Sequence, residues 1–98
     1  THGLYTEFPF PTANSEPFGL AMDGDVALWF TERSGNKLGR FPSVGLMRDY
    51  ALPTANSTPT DIVVDGAGCA WYAAPGSNRI GRFCAPPALM LYLPLVHR

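Results

Sequence analysis

Pro11-Thr12-Ala13-Asn14-Ser15-Glu16-Pro17 and Pro53-Thr54-Ala55-Asn56-Ser57-Thr58-Pro59 are one phrase written twice, differing only at its sixth residue. The offset of 42 residues also carries Asp23-Gly24 onto Asp65-Gly66, Trp29 onto Trp71 and Asn36 onto Asn78. It carries Gly39-Arg40-Phe41 onto Gly81-Arg82-Phe83 as well. Thirteen identities on one ungapped offset define an internal repeat, and Tyr92-Leu93-Pro94 echoes the Tyr50-Ala51-Leu52 that closes the first copy.

Working outward, each copy reads as four short strands. The first covers Phe18–Met22 and Thr60–Val64. The second covers Ala27–Glu32 and Cys69–Ala74, where Trp, Phe and Tyr suit a pleated, half-buried surface. The third covers Lys37–Phe41 and Arg79–Phe83, and the fourth Leu46–Leu52 and Ala88–Leu93. Leu4–Phe10 reads as one more outer strand. Asp23-Gly24, Ser34-Gly35-Asn36 and their counterparts supply the turns, and no twelve-residue window shows helical periodicity. A period near 42 with four antiparallel strands is the signature of a β-propeller blade. The expected organisation is an extra outer strand from a preceding blade over 1–10, blade one over 11–52, blade two over 53–94 and a tail over 95–98.

Composition agrees. With 46% apolar and 15% charged residues, the 98-residue chain is too apolar to be disordered. A net charge of −1 without a basic cluster argues against nucleic acid as a partner. The longest apolar run, Pro86 to Val96, falls short of the roughly 20 residues that span a bilayer, so no membrane partner is expected. Ten Gly and ten Pro exclude a helical bundle. No signal sequence opens the chain, which reads as a mature domain or a fragment, with Val96-His97-Arg98 unrelated to the repeat. The compartment is left open.

Glu16-Pro17-Phe18-Gly19-Leu20-Ala21, Leu28-Trp29-Phe30-Thr31-Glu32 and Gly35-Asn36-Lys37-Leu38-Gly39-Arg40 together resemble one blade of the virginiamycin B lyase (streptogramin lyase) family. Trp71-Tyr72 and Ser77-Asn78-Arg79-Ile80-Gly81-Arg82 resemble a more diverged blade of the same type. The resemblance covers about residues 4 to 94 and implies a propeller, which in full-length members has seven blades. Repeat units cannot bury their faces alone, so two blades would expose Trp29, Trp71, Phe41 and Phe83. The fold class expected is therefore all-β: two four-stranded antiparallel blades completing a six- or eight-bladed propeller by homo-oligomerisation of three or four chains. Its central channel would be the place for a small-molecule ligand.

The resemblance also implies chemistry: metal-assisted elimination opening an ester-linked macrocycle. In the family's metal-binding blade, Glu-Pro-His and the Glu of Trp-Phe-Thr-Glu hold the cation. Glu16 and Glu32 match the two carboxylates, whereas Phe18 stands at the His position and the second copy has Thr58 and Ala74. Antiparallel first and second strands put Glu16 and Glu32 on one rim, and carboxylate ligands suit a hard cation such as Mg²⁺. Against this, Glu32 also reads as an ordinary strand-end charge and Glu16 as a loop residue. No catalytic residue is assigned; His2 and His97 lie near the termini. The enzymatic variant is a promiscuous metal-dependent hydrolase with its site on the ring axis, and the competing class is a non-catalytic self-assembling scaffold or a ring that binds a small ligand or glycan. Cys69 and Cys84 fall opposite each other across a turn, permitting a disulfide, although two apolar thiols are the favoured reading. Trp29 and Trp71 are expected in the core.

Overall fold

In the computed structural model, residues 3–86 are described and form seven strands in two antiparallel sheets. The first sheet runs β1 (Pro17–Asp23), β2 (Ala27–Glu32), β3 (Lys37–Pro42) and β4 (Arg48–Ala51) in sequence order. The second runs β5 (Ile62–Val64), β6 (Ala70–Ala74) and β7 (Arg79–Phe83), with a 3₁₀ turn at Pro75–Ser77. Its expected fourth strand, Ala88–Leu93, lies outside the described residues. No helix among the described residues is long and apolar enough to cross a membrane.

The repeated asparagines are turn devices. Asn14, Asn36, Asn56 and Asn78 all adopt φ between 56° and 57°, a left-handed conformation that Asn tolerates better than most side chains. The repeated Gly of Gly-Arg-Phe has a packing reason. A Cβ on Gly39 would lie 1.9 Å from the Phe30 ring, and one on Gly81 would lie 2.1 Å from the Tyr72 ring. Phe30 and Tyr72 are the register partners of those glycines, so each ring lies across its neighbour's bare backbone.

The sheets stack face to face. Ala21, Trp29, Leu38 and Leu52 of the first meet Ile62, Val64, Ala70, Tyr72 and Phe83 of the second. Trp29 is fully buried and stands edge-on to Phe83, with ring centroids 6.0 Å apart. Polar groups bridge the same interface: Thr31 Oγ1 accepts from Gly19 N at 2.8 Å and donates to Thr60 O at 2.9 Å. Asn36 Nδ2 donates to Thr54 O at 3.0 Å, and Ser57 N donates to Asn36 Oδ1 at 2.8 Å. Each interior edge is thereby clipped to the loop of the next sheet.

Several sequence expectations change. Leu4–Phe10 forms no strand and has no ladder partner among the described residues; Leu4 and Tyr5 are exposed while Phe8 and Phe10 rest on Phe41 and Phe30. β4 begins at Arg48 rather than Leu46, after a loop turned by Gly45 at φ 116°. Trp29 is buried by the second sheet, but Trp71 is 41% exposed on that sheet's outer face and is not core. Cys69 and Cys84 are bonded rather than free. Pairing of Ala70 with Phe83 makes them the next opposed residues, with Cα atoms 4.3 Å apart.

Candidate functional site

Glu16 and Glu32 do share a rim, since Pro17 is the register partner of Glu32. Their side chains part company there. Glu16 adopts φ 56°, which turns its side chain outward. The Ser34 hydroxyl donates to Glu16 Oε1, and Arg33 lies 4.0 Å from Oε2. Half of the Glu16 side chain remains in solvent, so this ion pair contributes little to stability.

Glu32 is fully buried. It sits beneath the Thr12–Ser15 loop, beside Gly35 and the Ser15 hydroxyl. A small network closes over it: Thr12 Oγ1 donates to Asp49 Oδ2 at 2.6 Å, and Lys37 Nζ donates to Thr12 Oγ1 at 2.9 Å. Ser15 is committed to the Thr12 carbonyl, and neither Glu32 oxygen meets a donor among the described residues. Burial raises the Glu32 carboxyl above its ordinary range; Ser15 and Lys37 pull it down, and Asp49 pushes it further up.

A divalent cation does not fit this pair. Mg²⁺ requires near-octahedral oxygen ligation with several waters, yet Glu32 is sealed from solvent while Glu16 already faces a guanidinium. The Arg33 guanidinium also lies over the Phe18 ring, 5.4 Å from its centroid, placing positive charge beside the position of the family histidine. No group of three or more His, Cys, Asp or Glu side chains among the described residues is placed so that it could hold a metal ion. His2 and His97 lie outside them.

Sequence reading missed a second constellation. Asp65 Oδ2 accepts from the Trp71 indole N–H at 2.8 Å and from Arg82 Nε at 2.9 Å. Its Oδ1 accepts from the amides of Ala67 and Cys69. These bonds, the indole's foremost, hold the Asp65 carboxyl far below the usual range. The identity of Asp23 with Asp65 was visible in the repeat, but a turn aspartate explains itself locally and hides any further role.

A family model described as the virginiamycin B lyase family matches residues 1–93. A solved streptogramin B lyase is 27% identical with a TM-score of 0.74, covering 79% of this chain and 26% of that one. Selenomethionine-substituted virginiamycin B lyase from Staphylococcus aureus is 37% identical with a TM-score of 0.76, over 81% and 27%. A catalytically inactive histidine-to-alanine variant of virginiamycin B lyase from Staphylococcus aureus, solved with quinupristin, is 28% identical with a TM-score of 0.67, over 88% and 32%. The chain thus spans between a quarter and a third of the length of these propellers.

Proposed function

The chain belongs to the virginiamycin B lyase family, and we propose that it is a two-blade unit that completes a propeller ring head to tail with further copies of itself. The ring's channel would hold a small ligand, and among the described residues Glu16 and Glu32 are not arranged to share a cation. Three copies would give six blades and four would give eight.

One observation carries this reading: the N-terminal arm packs on the first sheet through the same pair of repeat positions by which β4 packs on the second. Phe8 packs on Phe41 with centroids 4.9 Å apart, just as Tyr50 of β4 packs on Phe83 at 4.8 Å. Both contacts obey the 42-residue offset. Phe8 therefore sits against the first sheet as β4 sits against the second. In a ring, the arm would pair with β7 of a neighbour and supply its fourth strand.

The open faces match this arrangement. Leu20 and Met22 are 66% and 63% exposed on the first sheet; Val63 and Ile80 are 62% and 76% exposed on the second. By the offset, Leu20 and Met22 correspond to the interface residues Ile62 and Val64, while Trp71 and Ile80 correspond to Trp29 and Leu38. A second copy placed head to tail therefore repeats the contact already made within the chain. Such a heterologous contact gives a closed ring when its rotation closes. Asn78 is the counterpart of the Asn36 clip and would take Thr12 O and Ser15 N of the neighbour.

Light scattering on a sizing column tests the assembly. The expected mass is three or four chains, and a single-chain mass at working concentration overturns the ring. Calorimetry with Mg²⁺ or Mn²⁺ should give no heat. EDTA-sensitive cleavage of a cyclic depsipeptide, lost in Glu32→Gln, would restore the metal-dependent lyase in place of the scaffold.

A further inference from the structure

The first sheet has a fourth strand, and the second has none among the described residues. β4 shows what such a strand must bring. Leu52 N donates to Asn36 O at 3.1 Å, which makes Asn36 and Leu52 a hydrogen-bonded pair of the antiparallel ladder. The next pair, Lys37 and Ala51, is then a non-hydrogen-bonded one, and the Ala51 N–H points away from β3. β4 also brings charge: Asp49 lies 4.0 Å from Lys37 Nζ and accepts from the Thr12 hydroxyl at 2.6 Å.

The second sheet repeats this cradle without the acid. Shifted by 42 residues, Asn36, Lys37 and Thr12 become Asn78, Arg79 and Thr54. The loop that holds the threonine has the same build in both copies. Ser15 Oγ donates to Thr12 O and Ser57 Oγ to Thr54 O, and Asn14 and Asn56 both have φ 56°. Arg79 is exposed and has no ion pair among the described residues.

Two stretches of the chain fall in the place of β4. Residues 6–10 lie 42 positions before residues 48–52, and residues 90–94 lie 42 after them. Only the first stretch keeps what β4 supplies. Glu7 stands where Asp49 does, whereas Leu91 carries no charge. Phe10 stands at the place of Leu52 and has the N–H that Asn78 O would accept, whereas Pro94 has none. Pro9 falls at the place of Ala51, where the N–H is unused and an edge strand takes proline without loss. The arm is held away from β7 of its own chain, because Phe8 and Phe10 rest on Phe41 and Phe30, on the face of the first sheet turned from the second.

We propose that the β7 edge is a binding site for an extended segment with an acid opposite Gly81 and a free N–H opposite Asn78, and that residues 6–10 of a second copy occupy it rather than residues 90–94 of the same chain. Glu7 of that copy enters beside Arg79 and Thr54 and completes from outside the network that Asp49 forms within the first sheet. Main-chain bonds give such an added strand its affinity and side chains its specificity. This rests on the head-to-tail reading and adds to it the residues that select the strand.

Light scattering over a dilution series reads the half-assembly concentration of the full chain. Arg79→Glu and Glu7→Lys should each raise it by at least about tenfold, since each turns an attraction into a repulsion. Combined in one chain, they should bring it back to within about threefold of wild type. Both residues are exposed, so neither variant disturbs the fold. Single variants that assemble like wild type, or a double variant no better than either single one, overturn the proposal and leave the ring standing, with residues 90–94 as the strand on β7. A wild-type chain of single-chain mass overturns the ring, and the edge is then read by the anisotropy of a labelled peptide of residues 3–12 titrated with the full chain. Saturable binding, weakened at least about tenfold by Arg79→Glu and regained there by the Glu7→Lys peptide, upholds the edge site without the ring. Absence of saturable binding overturns both.

Discussion

Replacing Asn36 by Gly separates the clip between the sheets from the turn that presents it. Asn36 adopts φ 57° and its amide makes two bonds across the interface, to Thr54 O and from Ser57 N. Glycine keeps the left-handed backbone without strain, so the variant loses only the two bonds. At about 1 kcal/mol net for each, the expected destabilisation is about 2 kcal/mol. In a domain of this size that lowers the melting temperature by roughly 8–16 °C. Asn36→Ala should cost a further 1–2 kcal/mol or so, the penalty of a Cβ in the left-handed region. Asn78→Gly is the matched control, because Asn78 has the same φ and an exposed side chain. It should leave the stability of a dissociated chain unchanged and raise the concentration needed for assembly. Circular dichroism in urea, with mass measured in parallel, reads both effects. Equal loss of single-chain stability in Asn36→Gly and Asn78→Gly would refute the idea that one is an internal clip and the other an external one.

Three further outcomes follow from individual contacts. Glu32→Gln should stabilise the fold at pH 7 by about 1–3 kcal/mol, since it removes a buried charge whose oxygens meet no donor among the described residues. Because folding raises the Glu32 pKa, the native state holds more protons above the unfolded value of 4.5. Wild-type stability should therefore fall as pH rises through that value toward the raised one, and the urea midpoint of the Gln variant should lose this slope. Gly39→Ala forces a Cβ to within 1.9 Å of Phe30 and should cost about 1–3 kcal/mol by overpacking, seen as a lower urea midpoint. Reducing the Cys69–Cys84 bond, which closes a 15-residue separation, should cost about 3 kcal/mol, measured as a lower melting temperature in dithiothreitol.

Strand positions were legible because the repeat and the Trp-Phe-Thr-Glu and Gly-Arg-Phe phrases are set by local pairing. β2 and β7 have the bounds read from sequence, Ala27–Glu32 and Arg79–Phe83. What the sequence left undecided depended on the third dimension. Register places Glu16 beside Glu32, but the left-handed turn at Glu16 and the loop over Glu32 decide that one carboxylate faces water and the other none. Leu4–Phe10 has strand composition, yet a strand is a relation between two segments, and composition cannot say whether the second is present. The cysteines were placed opposite each other correctly; a spacing count says nothing of whether the two sulfurs bond. Trp29 and Trp71 are the same letter at the same point of the repeat, and only their order in the stack makes one interior and one open.

That last difference has an optical consequence. Trp29, at 0% exposure between the sheets, should emit to the blue, as an indole shielded from water does. Trp71, 41% exposed and hydrogen-bonded to Asp65, should emit to the red. Packing another copy against the second sheet would dry Trp71 and shift only its share of the spectrum. Dilution would then move one emission band, and unfolding would move both.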